Sequence, residues 1–94
     1  MIAIDPTPEQ AQLIDEFISQ VRGKHPGFRW EYWTNLHHDE KGMFPVLHLA
    51  PTWKDGKIEY GHEMMITVDL LNKSASDCLN YVSECLKYNE ELTG

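Results

Sequence analysis

Apolar residues near the start of the chain recur at helical spacing. Thr7 offers an N-cap, Pro8 suits the first helical turn, and Gln10 completes a capping box. Gly23, with Pro26 soon after it, predicts the end of the helix. We therefore expect an amphipathic helix over about Pro8–Arg22. Its buried stripe is predicted to contain Leu13, Ile14, Phe17, Ile18 and Val21.

A second helix is predicted near the end of the chain. The segment Ser74–Asp77 has a capping-box pattern, and Asp77 is favoured in the first turn by the helix dipole. An apolar stripe then follows at helical spacing, which predicts a second amphipathic helix. Its members are Cys78, Leu79, Val82, Cys85 and Leu86.

Between the two helices the hydrophobic period changes to two. Alternation over Phe28–Leu36 predicts a half-buried strand with Trp30 and Trp33 on opposite faces. Asp55 and Gly56 predict a tight hairpin turn after a second strand. On one face, that turn pairs Trp53 with Ile58, Pro51 with Tyr60, Leu49 with His62, and Leu47 with Met64. On the other face, it pairs His48 with Glu63 and Val46 with Met65.

Two prolines interrupt this second strand. Pro45 and Pro51 have no backbone N–H to donate to a ladder, so the strand is expected to contain a bulge or an irregular stretch. The register nevertheless places a nearly continuous apolar face toward the helices. A one-residue slip would expose all of these apolar side chains to water, which favours the register.

The order of elements predicts an α+β fold, αβββα, in one compact domain of residues 1–94. Both helices are amphipathic and the strands have one apolar face. Both helices are therefore expected to cover the same face of a three-stranded antiparallel sheet. The other sheet face is left to solvent or to a partner.

Charge narrows the range of partners. The 94 residues carry a formal net charge of −7, and residues 1–20 contain four acidic side chains and no Lys or Arg. Direct nucleic-acid binding is disfavoured, because it needs clustered basic residues. The αβββα order also occurs in double-stranded-RNA-binding domains, but this chain has Asn72–Asp77 where those domains have a basic cluster.

A membrane protein is not expected, because the apolar runs fall far short of the ~20 residues of a spanning helix. The first residues lack the basic start and apolar stretch of a signal peptide. A cytoplasmic location is predicted. Cys78 and Cys85 lie seven residues apart on one helix, which separates their Cα atoms by about 10 Å and excludes an intrachain disulfide.

Enzyme activity is not expected. Both cysteines fall on the predicted core stripe, where a thiol stays protonated and unreactive. The sequence has no glycine-rich phosphate loop, and its carboxylates are too scattered to nominate an acid/base pair.

Histidines supply the alternative hypothesis. The segment His37-His38-Asp39 is placed in the loop after the first strand, with His48 on the hairpin. Imidazole and carboxylate groups are the ligand types that Zn²⁺ uses. This loop with His48 could therefore form a small-ligand or metal-binding site, with enzyme activity as a further option. Because no metal-ligand spacing is present, we expect no bound metal and no cofactor.

The uncovered sheet face is the predicted binding site. Strand alternation places an aromatic residue there among apolar and charged neighbours, which is the composition of a protein-recognition patch. The predicted members are Trp33, Glu31, Val46, His48, Glu63 and Met65. The sequence therefore predicts a small acidic protein-interaction module, of the inhibitor, antagonist or immunity-protein type. Its partner is another protein, and a second copy of the chain is one such partner.

Overall fold

A computed structural model describes residues 2–3, 6–54, 57–58 and 63–93, with side chains described for residues 6–51 and 63–88. It confirms the predicted α+β class, with both long helices packed on one sheet. The helices are α1 (Pro8–Lys24), α2 (Val68–Lys73) and α3 (Ala75–Thr93). The strands are β1 (Ile2–Ala3), β2 (Phe28–Asp39), β3 (Gly42–Lys54), β4 (Lys57–Ile58) and β5 (Met64–Thr67).

The sheet is antiparallel in the order β1–β2–β3–β4, and β5 also pairs with β3. Three strands were expected, and β2, β3 and the divided third strand β4–β5 correspond to them. The addition is β1, whose Ile2 lies opposite Leu36 at the far edge of β2.

The start of α1 agrees with its predicted capping box. The backbone N–H of Gln10 donates to Thr7 Oγ1 over 3.2 Å, and the N–H of Thr7 donates to Gln10 Oε1 over 3.0 Å. The helix runs two residues past the predicted end, through Gly23 to Lys24. It stops at His25, which precedes Pro26, and proline disfavours helical backbone in the residue before it, so Pro26 and not Gly23 sets the end.

The first strand is longer than its alternation predicted. It extends beyond Leu36 to Asp39, so the segment His37-His38-Asp39 is strand and not loop. Asp39 pairs with Gly42 across a turn of two residues. The Lys41 N–H donates to Asp39 Oδ1 over 2.8 Å, and Gly42 adopts a φ of 130° that favours glycine. This side-chain-capped turn lacks an Asn-Gly or Asp-Gly signal.

The third strand confirms one part of the predicted register and corrects another. Trp53 lies opposite Ile58 as expected. Further along, the pairing is displaced by two residues: Leu49 faces Met64, His48 faces Met65, Leu47 faces Ile66, and Val46 faces Thr67. Because the displacement is two residues, every side chain keeps its predicted face. The predicted turn at Asp55 and Gly56, and the pairings of Tyr60 and His62, lie outside the described residues.

A register shift beside Pro51 confirms the irregularity expected there. The neighbouring residues Arg29 and Trp30 pair with Trp53 and Pro51 respectively, so Thr52 has no Cα partner in β2. Pro51 cannot donate a hydrogen bond, which makes this the position where the ladder loses least by changing register.

One helix was not predicted. The Thr67 side chain accepts a hydrogen bond from the Leu70 N–H over 3.2 Å and caps α2, which buries Val68 and Leu71. The helix has only six residues, so its apolar pattern is too short to separate from that of the preceding strand. The predicted second helix corresponds to α3.

The core lies between the helices and one sheet face. The Nε2 atom of His25 lies 3.0 Å from the Ser83 hydroxyl and links the end of α1 to α3. Phe17, Ile18, Val82 and Leu86 are buried as expected. The buried cluster consists of Ile14, Phe17, Ile18, Val21, Trp30, Leu47, Leu49, Met64, Ile66, Val68, Leu71, Cys78, Val82 and Leu86.

Candidate functional site

The sheet face opposite the helices carries a row of three residues across β2, β3 and β5. Trp33 lies opposite His48, and His48 lies opposite Met65. The indole of Trp33 is 42% exposed and the side chain of Met65 is 56% exposed, whereas the imidazole between them is 2% exposed. We call these three residues the Trp33–Met65 row.

The buried imidazole of His48 has polar partners on both ring nitrogens. Its Nδ1 contacts Glu63 Oε1. Its Nε2 lies 3.1 Å from His37 Nε2 and 3.4 Å from Asn35 Nδ2. A carboxylate only accepts hydrogen bonds, so Nδ1–H of His48 donates to Glu63 and Nε2 accepts from the other side. His48 is thereby satisfied although it is buried.

Aromatic rings also pack against the imidazoles of this cluster. The ring centroids of Trp33 and His48 lie 5.4 Å apart with planes 7° from parallel. The ring of Phe44 lies 6.1 Å from that of His37. Because Trp33 stacks on an imidazole that is itself held by hydrogen bonds, its indole has few alternative positions. Trp33 and His48 are therefore ordered before a partner binds.

The six residues predicted for the binding patch all lie on this face, but in different environments. Val46 and His48 are buried at 4% and 2% exposure, so they support the surface and do not present it. Trp33, Met65, Glu31 and Glu63 are exposed.

Tyr81 of α3 contacts the sheet at its edge strand, β5. Its ring is 40% exposed, and its hydroxyl forms a hydrogen bond with the backbone of Met65. Burial raises the pKa of Tyr81, and the side chain of Cys85 adds to the rise. Because α3 packs on the other face of the sheet, Tyr81 does not belong to the Trp33–Met65 row.

The predicted grouping of His37, His38 and Asp39 does not form. Consecutive strand residues point to opposite faces, so His37 joins His48 while His38 is exposed elsewhere. Within the described residues, no group of three or more His, Cys, Asp or Glu side chains is placed to share a metal ion.

The two cysteines are free, and Cys85 is only half-buried, so the expectation that both thiols lie in the core holds for Cys78 alone. Cys78 is buried, and its burial, followed by the nearby charge of Asp77, raises the pKa of its thiol. A thiol in this environment is a poor nucleophile at neutral pH.

A groove of about 390 Å³ lies on the helical side, between the start of α1 and α2. Thr7 and Gln10 line it, and both are engaged in the capping box of α1. Its carboxylates, Glu9 and Asp69, are exposed. The groove therefore lacks the convergent buried polar groups of a small-molecule site.

None of the helices in the described part of the chain has an apolar stretch long enough to cross a lipid bilayer. Comparison of the chain with protein families, with curated proteins and with solved structures finds no match.

Proposed function

We propose that this chain is a small acidic protein-binding module whose sheet face, centred on the Trp33–Met65 row, contacts a basic protein. The observation that carries the proposal is the row itself. Two large apolar side chains stand exposed on either side of a buried and fully hydrogen-bonded imidazole. Tryptophan and methionine are enriched at the centres of protein interfaces.

The rigidity of the row supports binding. An exposed indole forfeits about 2–3 kcal/mol of burial, which a partner could recover. Trp33 stacks on His48, so ordering the indole costs little additional entropy when a partner covers it. Anchors that are already positioned contribute more of their burial energy to affinity than mobile side chains do.

Charge supports a basic partner. The carboxylates of Glu31 and Glu63 lie on the same face as Trp33, and the whole chain carries a net charge of −7. This field accelerates encounter with a positively charged surface and opposes the approach of a second acidic copy. We therefore favour a different, basic protein over self-association. An inhibitory or accessory role in the cytoplasm is consistent with this chemistry.

Affinity capture from the native host tests the proposal. Wild type, Trp33→Ala and Tyr88→Ala serve as baits, because Tyr88 is an aromatic residue of α3 that is 59% exposed. The proposal predicts a basic protein that is retained by wild type and Tyr88→Ala and lost from folded Trp33→Ala. Equal capture by all three baits, or an acidic protein that depends on Trp33, would contradict it.

A further inference from the structure

The two imidazoles on the sheet face have their Nε2 atoms directed at each other. The Nε2 atoms of His37 and His48 lie 3.1 Å apart, and the far nitrogen of His48 contacts Glu63. We infer that His37 and His48 form a binding site for a divalent transition-metal ion of the zinc and copper group. The inference does not rest on the protein-binding function proposed above, although both use His48.

The spacing of the nitrogens fits a shared ion. Two nitrogen ligands at 2.0–2.1 Å from one tetrahedral ion are about 3.3 Å apart. The observed separation of 3.1 Å is within a few tenths of an ångström of that distance, and both rings must also tilt so that their lone pairs converge on the ion. Imidazole nitrogen is the ligand type that zinc, copper and nickel share.

The outer contact also fits a metal ligand. Metal-binding histidines usually donate their second ring N–H to a carboxylate, which fixes the tautomer and the ring orientation. Glu63 makes this contact with Nδ1 of His48, and Trp33 holds the plane of the same ring. The ligand atom of His48 is therefore aimed before any ion binds.

The protein supplies two imidazole ligands to this site. The amide of Asn35 lies 3.4 Å from the same Nε2 atom of His48 but presents its nitrogen, which cannot bind a metal ion. A tetrahedral ion would complete its coordination with water or with a ligand atom of a partner.

Both imidazoles stay neutral when the ion binds, and no proton is released. Without an ion, His37 Nε2–H donates to His48 Nε2, and His48 Nδ1–H donates to Glu63. When the ion binds, two metal–nitrogen bonds form, and His37 moves its proton from Nε2 to Nδ1. His48 keeps its proton on Nδ1. This departs from the metal-free protein that the sequence predicted.

Calorimetric titration of the full chain with Zn²⁺ tests the site. We expect one ion per chain for wild type and for His38→Gln, which alters the adjacent, exposed imidazole. His37→Gln should abolish measurable binding, and Glu63→Gln should weaken it by about 10–100-fold. His37 lies at the edge of the cluster, so its variant tests the site even if replacement of buried His48 unfolds the domain.

Nitrogen-15 spectra of the histidine rings give a second readout. Zn²⁺ should move the His37 proton from Nε2 to Nδ1 and leave the Nδ1 proton of His48 in place. Absence of Zn²⁺ binding to wild type would show that the contact is a hydrogen bond only and would overturn the inference. Equal binding by wild type and His37→Gln would place the ion elsewhere and overturn it as well.

Discussion

The indole of Trp33 lies flat against the imidazole of His48, with ring centroids 5.4 Å apart and planes 7° from parallel. The first ring is exposed and the second is buried. This relationship joins the surface of the sheet to a polar cluster beneath it. Changes in the cluster should therefore reach the proposed binding surface without any direct contact with a partner.

Removal of the carboxylate that contacts His48 should destabilise the fold. Glu63→Ala leaves a buried imidazole N–H without its acceptor, which costs about 1–3 kcal/mol. The control is Asp69→Ala, which removes the exposed pair between Asp69 Oδ2 and Lys73 Nζ at 2.9 Å. That change should cost less than about 0.5 kcal/mol. Denaturant melts measure both values, and equal losses would show that the buried contact has no special role.

Truncation of a core aromatic should cost far more. Phe17 is 1% exposed at the centre of the buried cluster, so Phe17→Ala should lower the free energy of unfolding by about 3–5 kcal/mol. Leu70→Ala is the matched control, because that side chain is 47% exposed on α2. A loss below about 1 kcal/mol for Phe17→Ala would mean that its stripe does not face the core.

The two thiols should differ in reactivity. Burial raises the pKa of Cys78, so an aromatic disulfide reagent at pH 8 should modify Cys85 quickly and Cys78 only as the protein unfolds. Cys78→Ala and Cys85→Ala assign the two phases. Rapid modification of Cys78 in the folded protein would contradict its burial.

The same shift sets a pH dependence with a definite sign. The pKa of Cys78 in the native state lies above the ordinary thiol pKa of 9.0. Above pH 9 the unfolded chain therefore loses this proton more readily than the native state does. Stability is therefore retained below pH 9 and falls as the pH rises further. Cys78→Ala should reduce this loss in alkaline melts, while Tyr81, whose pKa is also raised, maintains part of it. An unchanged slope in Cys78→Ala would refute the assignment.

The elements with strong periodic patterns were predictable from the sequence. The helix α1 has a complete capping box and five apolar residues at helical spacing, and its start was confirmed at Pro8. The exposure of Trp33 on the face opposite Trp30 was predicted by alternation alone. The two residues are an odd number of positions apart on one strand, so their side chains lie on opposite faces.

The parts that were missed depend on contacts between side chains and backbone. The turn after Asp39 is closed by its carboxylate, and no dipeptide pattern signals it. Its omission placed three strand residues in a loop, although His37 and His48 were still grouped as one candidate site. The two-residue displacement of β5 also has no local signal, since it leaves every residue of the strand on its predicted face.

Charge on the sheet face should control association with the proposed basic partner. Glu31→Lys reverses a carboxylate on the same strand and face as Trp33, and we expect slower association with a weaker salt dependence. Glu84→Lys changes the net charge equally on the exposed side of α3. Stopped-flow association rates should fall several-fold more for Glu31→Lys than for Glu84→Lys. Equal effects of the two variants would assign the rate to net charge alone.

The affinity of the captured partner for Trp33→Ala tests the central claim most directly. Titration of purified partner should show a loss of at least about 2 kcal/mol, roughly 30-fold, for Trp33→Ala, as for the anchor residue of an interface. Met65→Ala should weaken binding in the same direction, and Tyr88→Ala should bind within about twofold of wild type. Circular dichroism must show that each variant is folded. Wild-type affinity in folded Trp33→Ala and Met65→Ala would contradict a binding surface centred on the Trp33–Met65 row.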